Sequence, residues 1–557
     1  MRTPRSPVIG RARLGYAARL LVLATTLATS PAFGDEPPAT VPAPATSREA
    51  ELEARVQRLE EMNQRVLEQY ETLSKKYEAL ESRLEAGTAK GTTSPAPEGP
   101  PTPSPTLPIV PAPEDDDGQG QGQGDADSKK PTDPIVGDDA TSGIWTAPNP
   151  SPKKDEDGKD RSHFRADYDD GFVIAPDDED RYPFLLRING RMQFRQTTFA
   201  RDRKFWRDSA GTNLEIRNRS DFEIERGRLV FSGFFLDPKL EYYLNIDFDT
   251  DDNHDFVAHD FWVNYQFSEA FDLHFGKAFV PGSRAWLGGS TRTQFADRAL
   301  GNTFFRPDRS VGVWAQGEPV ENVFYRTMMA NGFNTTDLTF DDIDLHYAWA
   351  SSVWWDVFGN YGSGYPDLDW HEDPAWLGGA SFTTARNSGP GPINQSALER
   401  NFVRLSDGTQ LTLPDAIAPG LTVNQFDIYL LALDLAAKYR GFSFNGEYYL
   451  RWIQDIGGFG APVPFTTMFD HGFYVEGGYF LIPRKFEVIA RTSQIWGPYG
   501  TGAEYAGGFN WYVNGTHDWK FTFDATRVIG SPAENSGPNY NAGDTGVMFR
   551  SQLQTAF

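Results

Sequence analysis

The sequence predicts an all-β transmembrane barrel that follows an α-helical coiled coil and a disordered linker. Aromatic residues make up 14% of the 557 residues, yet the mean hydropathy is −0.51. Barrel strands carry apolar side chains only at alternate positions, so their mean hydropathy stays low while aromatic residues accumulate at the membrane interfaces. After the N-terminal region, no stretch is apolar over the roughly 18 residues that a membrane helix needs. A membrane-spanning part must therefore be a closed barrel.

The N-terminus is typical of a signal peptide, which we place at residues 1–34. An arginine-rich region precedes an apolar run at residues 20–27, which is too short to span a bilayer. Ala32 and Gly34 are spaced like a cleavage site, so the mature chain would begin near Asp35. A short buried helix is the alternative interpretation. The positive residues are Arg2, Arg5, Arg11, Arg13 and Arg19.

A heptad repeat over residues 48–86 predicts a coiled coil in the periplasm. Two apolar series, offset by four residues, each recur every seventh residue over five heptads, which is the a/d seam of a coiled coil. The first series is Leu52, Leu59, Val66, Leu73 and Leu80, and the second is Val56, Asn63, Tyr70, Tyr77 and Leu84. An amphipathic helix packed on a domain would give a similar stripe, but strict sevenfold spacing favours self-association.

Residues 87–180 have the composition of a disordered linker. Proline recurs from Pro95 to Pro113, and an acidic run and alternating Gly and Gln follow up to Gly124. Such a segment cannot bury enough apolar surface to offset the entropy of the chain. The linker and coiled coil leave an alternative function open, in which the barrel anchors a structural tether that contacts the cell wall.

From residue 182 to residue 557, apolar and polar side chains alternate with a period of two, in segments of about ten residues. In the first segment, Leu186, Ile188, Met192 and Phe194 interleave with Arg187, Asn189, Arg191, Gln193 and Arg195. Similar alternation covers residues 240–249, 260–267 and 519–526. The apolar face is rich in aromatic residues and the polar face in charged ones, which favours lipid on one side and a wet lumen on the other.

The final segment alternates in the same way and ends on Phe557. Val547, Phe549, Leu553 and Phe557 share one face, while Arg550, Gln552 and Gln554 share the other. A terminal aromatic residue on an alternating strand resembles the sorting signal that barrel-assembly machinery recognises. A soluble β-sandwich has no comparable reason to end in this way.

Four motifs between residues 225 and 317 resemble the phosphate-selective porin O and P family. They are Arg226-Gly227-Arg228-Leu229, Gly276-Lys277-Ala278-Phe279-Val280-Pro281, Phe295-Ala296-Asp297-Arg298-Ala299-Leu300 and Phe305-Arg306-Pro307-Asp308-Arg309-Ser310-Val311-Gly312. Weaker elements at residues 331–332, 477–480 and 508–512 follow in family-like order. The resemblance therefore extends over most of residues 182–557.

The resemblance implies a barrel of about 16 antiparallel strands in the outer membrane, assembled as a homotrimer. The 376 residues from Tyr182 to Phe557 leave about 23 for each strand with its connection, which fits this strand number. It also implies passive diffusion of small hydrophilic solutes, including anions such as phosphate. The expected partners are outer-membrane lipid, other copies of the chain and these solutes.

A basic constriction is the expected functional site. Residues 181–228 hold 12 Lys and Arg against six Asp and Glu, and the third external loop of the family folds into the lumen. Guanidinium groups bind oxyanions bidentately, so a series of arginines would give anions a ladder of weak sites. The candidates are Lys277, Arg284, Arg292, Arg298, Arg306, Arg309, Arg187, Arg191, Arg195, Arg226 and Arg228.

Two observations weigh against a strong anion preference. Residues 181–557 hold 32 basic and 44 acidic residues, and arginines inside large barrels often pair with facing acids. The family's selectivity also relies on lysines at the constriction, where this segment offers only Lys277.

The sequence offers no signature of catalysis or cofactor binding. It has no cysteine and a net charge of −25, which disfavours thiolate chemistry and nucleic-acid partners. The eight histidines show no paired metal spacing, and no nucleophile elbow or phosphate-binding loop is present. We therefore expect no enzyme, no metal and no cofactor.

Overall fold

The computed structural model describes residues 164–176, 183–250, 256–334, 346–388, 403–535 and 538–557. The predicted signal peptide, the predicted coiled coil and most of the predicted linker lie outside these residues. Within the described residues, no helix is long and apolar enough to cross a membrane.

The described part of the chain is built mainly from β-strands. Strands β1 to β10 are Phe164–Tyr168, Phe172–Pro176, Phe184–Arg201, Phe205–Arg207, Asn213–Glu215, Arg219–Phe235, Asp237–Asp247, Val257–Ser268, Phe271–Phe279 and Arg309–Val320. Strands β11 to β20 are Val323–Ala330, Ala348–Phe358, Ala375–Ser388, Leu421–Tyr439, Phe442–Gly460, Met468–Ile482, Phe486–Gly497, Gly500–Tyr512, Trp519–Ile529 and Gly546–Ala556. Helices α1 (Arg284–Leu287) and α2 (Leu300–Phe305) and a 3₁₀ helix (Ser290–Arg292) lie between β9 and β10.

Sixteen of these strands close into an antiparallel barrel. Each strand from β6 to β20 pairs with its neighbour in sequence, and β3 pairs with both β6 and β20. The last strand meets the first in register, from Gly546 opposite Arg201 to Ala556 opposite Arg191. The predicted 16-stranded barrel is confirmed.

The alternation of the sequence sets which side chains face outward. On β3, Met192 and Phe194 are exposed on the outer surface, whereas Gln193 and Arg195 are fully buried on the inner one. On β9, Phe271 and Phe275 point outward while His274 is buried inside. Period-two alternation thus places the apolar residues towards lipid and the polar residues towards the lumen.

The two ends of the barrel differ in the length of their connections. Short turns join β6 to β7, β8 to β9, β10 to β11, β14 to β15 and β16 to β17. The opposite end carries long connections, including residues 202–218, 280–308 and 530–545. In outer-membrane barrels the short turns face the periplasm, so we name the two ends periplasmic and external on this basis.

Residues 164–176 fall within the predicted linker, but the structure places them in a hairpin that continues the barrel wall. Strand β2 pairs with β3 from Phe172 opposite Ile188 to Ile174 opposite Leu186, beyond the point where β20 ends. The rings of Phe172 and Phe557 lie 5.6 Å apart. The hairpin therefore supplies hydrogen-bond partners for the edge of β3 beyond the end of β20. Without the hairpin, the backbone groups of this edge would face solvent unpaired.

Phe557 closes the seam at the same place. Its backbone N–H donates to Gly190 O (2.9 Å), and Gly190 N–H donates back to Phe557 O (3.1 Å). The Phe557 ring lies where a Cβ on residue 190 would stand. A side chain at residue 190 would therefore displace the terminal aromatic ring.

Candidate functional site

The connection between β9 and β10, residues 280–308, folds into the barrel and forms the core of the candidate site. We call it the inner loop. Helix α2 packs against β15, β16 and β17, and the Phe305 ring stacks on Tyr449 of β15 at 5.1 Å. Phe304, Phe305 and Leu300 belong to an apolar cluster within the barrel. Burial of these side chains drives the loop onto the inner wall.

Carboxylates of the wall hold the backbone of the inner loop. Leu300 N–H donates to Glu504 of β18 (2.7 Å), and Ala296 N–H donates to Asp524 of β19 (3.2 Å). Gly301 N–H donates to Ser493 Oγ on β17 at 2.9 Å. These bonds supply partners for backbone donors that would otherwise be buried without one.

Asp297 forms the centre of a buried ion cluster between the loop and strands β3 and β6. Its Oδ2 lies 3.1 Å from Arg195 Nη2 and 2.8 Å from Arg226 Nη2. Glu225 lies 2.9 Å from Arg195. Burial alone would raise the pKa of Asp297, but the charges of Arg226, Arg195 and Arg298 outweigh it and hold that pKa well below its usual range. The cluster, which we call the latch at Asp297, therefore holds the inner loop on the wall by ion pairs.

Most of the other predicted arginines also have ion-pair or hydrogen-bond partners close to them in space. Arg284 pairs with Asp434 (2.8 Å), Arg309 with Asp260 (2.9 Å), Arg228 with Asp247 (3.2 Å), Arg306 with Asp308 (3.3 Å) and Arg187 with Asp169 (3.0 Å). Arg298 donates to three backbone carbonyls of the inner loop, at Ala285, Trp286 and Gly288. Arg191 is buried on the inner face of β3, opposite Arg228. The structure brings these residues together on the inner side of the barrel, where their charges are largely balanced.

Lys277 does not join them. It lies opposite Phe261 on one side and Val311 on the other, and it shares the outer face of β9 with the exposed Phe275. Its ammonium group reaches the Ala258 carbonyl at 3.4 Å. The predicted lysine of the constriction therefore points away from the lumen.

The inward cations that form no ion pair with any carboxylate in the described part of the chain include Arg292 of the 3₁₀ helix, Lys438 of β14 and Lys520 of β19. Lys438 donates to the carbonyls of Tyr361 (3.0 Å) and Ser363 (3.2 Å). Lys520 donates to the carbonyls of Thr291 (3.3 Å) and Thr293 (2.9 Å), on either side of Arg292. We call Arg292, Lys438 and Lys520 the cation trio.

His517, in the turn between β18 and β19, lies in the positive field of the trio. Burial, and then the positive charges of Lys520, Arg292 and Lys438, lower the pKa of His517 well below its usual value. Alternation along residues 519–526 places Lys520 on the polar face, but Lys520 lies far in sequence from the arginine-rich segments that predicted the site. Lys438 stands alone among apolar residues in sequence, so only the fold brings it to the site.

The connection between β12 and β13, residues 359–374, enters the barrel from the periplasmic end. We call it the periplasmic turn. Tyr361 and Tyr365 are buried, and the Tyr361 hydroxyl donates to Asn445 Oδ1 on β15 (2.7 Å). Tyr365 N–H donates to the carbonyl of Arg292 at 3.0 Å. The inner loop and the periplasmic turn therefore meet inside the barrel, beside the cation trio.

The match to a known family covers part of the barrel. Residues 203–351 match the family model of phosphate-selective porin O and P, which confirms the resemblance over this part. No curated protein sequence matches the chain.

Solved outer-membrane proteins are similar to the chain at low identity. An anion-selective porin from Comamonas acidovorans shares 12% identity with a TM-score of 0.41, covering 67% of this chain and 100% of that one. OmpT of Vibrio cholerae shares 11% at a TM-score of 0.42, covering 67% and 98%. The channel DcaP of Acinetobacter baumannii shares 9% at a TM-score of 0.42, covering 67% and 97%. The barrel itself follows from the strand pairing.

The family match and the closed barrel together support an outer-membrane channel for small solutes and point away from an enzyme. Among the described residues, no group of three potential ligands is arranged to hold a metal ion.

Proposed function

We propose that the protein is an outer-membrane porin through which small hydrophilic solutes diffuse, with anions favoured over cations. The observation that carries the proposal is the closed 16-stranded barrel with the inner loop docked on its wall. A diffusion pore needs a lumen, a constriction and fixed charges that set which ions concentrate there. The inner loop supplies the constriction, and charged side chains surround it.

The anion preference is based on the cation trio rather than on the whole series of arginines. Most of those arginines are neutralised by acids at ion-pair distance, so they hold the loop and add little net field. Lys438 and Lys520 are buried and donate to carbonyl oxygens, whereas Arg292 is only half-buried. The guanidinium of Arg292 can therefore contact passing solutes, and its planar fork suits oxyanions such as phosphate.

Acidic groups reduce the field of the trio without pairing with it. Asp369 and Asp367 attract Lys438, and Glu487 attracts Lys520. Asp367 is itself bound to His371 and to Gly441 N–H, and Glu487 accepts bonds from Asn510 (2.9 Å) and Tyr512 (3.0 Å). We therefore expect a moderate anion preference.

The size of the effect follows from Coulomb's law. A unit charge about 6 Å from a solute in a water-like medium is worth about 0.7 kcal/mol, which is about a threefold change in local ion concentration. Replacing Arg292 by glutamine removes one such charge and leaves a side chain of similar length. The same charge depletes cations by the same factor, so we expect Arg292→Gln to lower the anion-to-cation permeability ratio by up to about tenfold, and by less as salt screens the charge.

The test is ion selectivity of the purified protein in a planar bilayer under a potassium chloride gradient. The reversal potential should favour chloride, and Arg292→Gln should move it towards potassium. Lys277→Gln is the matched control, because it removes the same charge from the outer face of the barrel. Cation selectivity of the unaltered protein would disprove the anion preference, and absence of conductance would disprove the porin and favour the tether.

Phosphate is the oxyanion that we propose as a natural solute. Phosphate added at low concentration should reduce the chloride current if it occupies the constriction, and Arg292→Gln should weaken the block. A chloride current that phosphate leaves unchanged would limit the proposal to a general anion pore.

We also propose that the barrel forms homotrimers, with the predicted coiled coil on the periplasmic side and a possible cell-wall contact through it. Polar side chains interrupt the lipid-facing surface at the seam: Gln196 donates to Thr198 (2.8 Å), which lies 3.2 Å from Ser220. Polar groups on this face fit a contact between proteins better than one with lipid. Cross-linking in intact membranes, before and after removal of residues 35–163, would show whether trimers form and whether the N-terminal region is needed.

A further inference from the structure

The base of the periplasmic turn is fixed by a histidine with two hydrogen-bond acceptors. His371 Nδ1 lies within hydrogen-bond distance of Asp367 Oδ1, and His371 Nε2 lies 2.8 Å from the carbonyl oxygen of Asn360. Asn360 and Asp367 lie on either side of the part of the turn that carries Tyr361 and Tyr365. The histidine therefore ties the two sides of this turn together.

This geometry requires the charged form of the histidine. A neutral imidazole has one N–H and cannot donate to both partners, because a carboxylate and a carbonyl oxygen only accept. The imidazolium has two N–H groups and satisfies both. In the neutral form, one bare ring nitrogen would face an acceptor oxygen, and that contact would be repulsive.

The surroundings favour the charged form. The hydrogen bond to Asp367 raises the pKa of His371, against the opposing effect of burial, and the bond to Asn360 adds to the rise. Asp367 has a lowered pKa despite its burial, because it accepts bonds from His371 and from Gly441 N–H.

Other charges around the ring act in both directions. Lys438 of β14 opposes protonation of the ring, whereas Asp356 of β12 interacts with it favourably. Arg440, whose backbone N–H donates to His371 O (2.8 Å), is paired with Glu372 at 3.4 Å. The charged groups around His371 are therefore the acids Asp367 and Asp356, the Arg440–Glu372 pair and Lys438.

We infer that His371 is a positioning residue whose imidazolium form holds the periplasmic turn inside the lumen, and that loss of its proton loosens the turn and widens the constriction. The turn carries the contact between Tyr365 and Arg292, so its release would also free the inner loop on the periplasmic side. The effect on ion flow depends on the proposed porin function. The movement of the turn does not.

The sign of the pH dependence follows from the direction of the shift. The pKa of His371 is raised in the docked turn, so docking is fully stabilised at pH values below the ordinary histidine pKa, and this contribution is lost as pH rises through the raised value. Between the ordinary and the raised value the docking equilibrium weakens by up to about tenfold for each pH unit, and above the raised value it changes no further.

The test uses cysteine accessibility in the full chain, which has no native cysteine. Pro366 in the turn is buried, and Pro366→Cys would report release through its rate of labelling by a charged thiol reagent, followed by mass spectrometry. Thr516→Cys, in the neighbouring turn between β18 and β19, provides the reference rate for the ordinary effect of pH on thiols. Between about pH 6 and pH 9 we expect the ratio of the two rates to rise about tenfold or more.

Two variants and one control separate the proposed switch from a merely structural role. His371→Gln should give a high ratio at every pH, whereas His471→Gln, on the outer face, should keep the pH dependence. Asp367→Asn should keep the ratio low at every pH, because the introduced amide can donate to a neutral ring that still donates to Asn360. A flat ratio in the unaltered chain, or an unchanged pH dependence in Asp367→Asn, would overturn the inference.

Conductance measured over the same pH range gives an independent readout. It should rise with pH in the unaltered chain and stay constant in Asp367→Asn. If the chain does not conduct but shows the expected labelling pattern, the proposed porin function is wrong and the His371 switch stands. If the chain conducts but labelling does not depend on pH, the porin function stands and the switch is wrong.

Discussion

The latch at Asp297 provides a quantitative test of how the inner loop is held. Asp297 is buried between Arg195 and Arg226, at 3.1 and 2.8 Å, and Asp297→Asn would leave two buried guanidinium groups with Glu225 as their remaining carboxylate in this cluster. Removing one partner of a buried ion pair costs about 3–5 kcal/mol. Glu225 lies 2.9 Å from Arg195 and 3.4 Å from Arg226, so it offsets part of this cost, and we expect a loss of about 3 kcal/mol.

The assay is urea unfolding of the folded barrel in liposomes, together with proteolysis of the inner loop. The matched control is Glu215→Gln, which breaks the exposed pair between Glu215 and Arg217 (2.9 Å) and should leave the unfolding curve nearly unchanged. Asp297 has a lowered pKa, so its contribution persists above the ordinary carboxylate range and is lost only as pH falls below it. Equal unfolding curves for the two variants would refute the view that the arginines serve mainly to hold the loop.

Two further predictions concern the seam and the docking of the loop. Phe172→Ala removes the ring that lies 5.6 Å from Phe557. Because Phe172 is 55% exposed, we expect a loss of about 1 kcal/mol, the value of an aromatic pair, and a lower temperature for the shift in electrophoretic mobility on heating. The control is Phe205→Ala, which removes a 64% exposed ring of β4 and should change this temperature less. Gly301→Ala would place a Cβ 2.9 Å from Ser493 Oγ and 3.3 Å from the Phe473 carbonyl. We expect this variant to lower the free energy of unfolding in urea by about 1–3 kcal/mol, and adding Ser493→Gly to restore part of the loss. Strictly additive effects of the two changes would show that these two residues are not in contact.

Strand periodicity was sufficient to predict the barrel and the inward direction of most arginines. On β3, alternation places Arg191, Gln193 and Arg195 on one face whatever the tertiary contacts are. The same rule would have placed Lys277 outward, since it is two residues from Phe275 and four from Leu273. The prediction placed Lys277 at the constriction because arginines lie near it in sequence, although alternation along β9 puts it on the outer face.

The partners of those arginines could not be predicted, because they come from distant parts of the chain. Asp297 lies 102 residues after Arg195, and Asp434 lies 150 residues after Arg284. Such pairs depend on the register of the strands and on where a loop folds back. Local sequence does not encode either of them.

The hairpin at residues 164–176 was missed for a different reason. Its flanks are rich in Asp, Lys and Pro, so the composition of the whole region resembles a linker. Only Phe172, Val173 and Ile174 give a local strand signal, and a run of three apolar residues is too short to distinguish a strand from a loop. The free edge of β3 next to Phe557 supplies the pairing that makes the segment a strand.

An acidic barrel can still present a positive constriction, because its acids and cations have different tasks. Glu504 and Asp524 accept backbone N–H groups of the inner loop and also bind Arg491 (2.8 Å) and Arg550 (3.0 Å). The negative charges of these two acids are therefore balanced by the arginines that they bind. Arg292, Lys438 and Lys520 instead bind carbonyl oxygens or face the lumen, so their charge remains uncompensated at close range. The sign of the field at the constriction thus depends on which charges are paired, and the net charge of the sequence does not determine it.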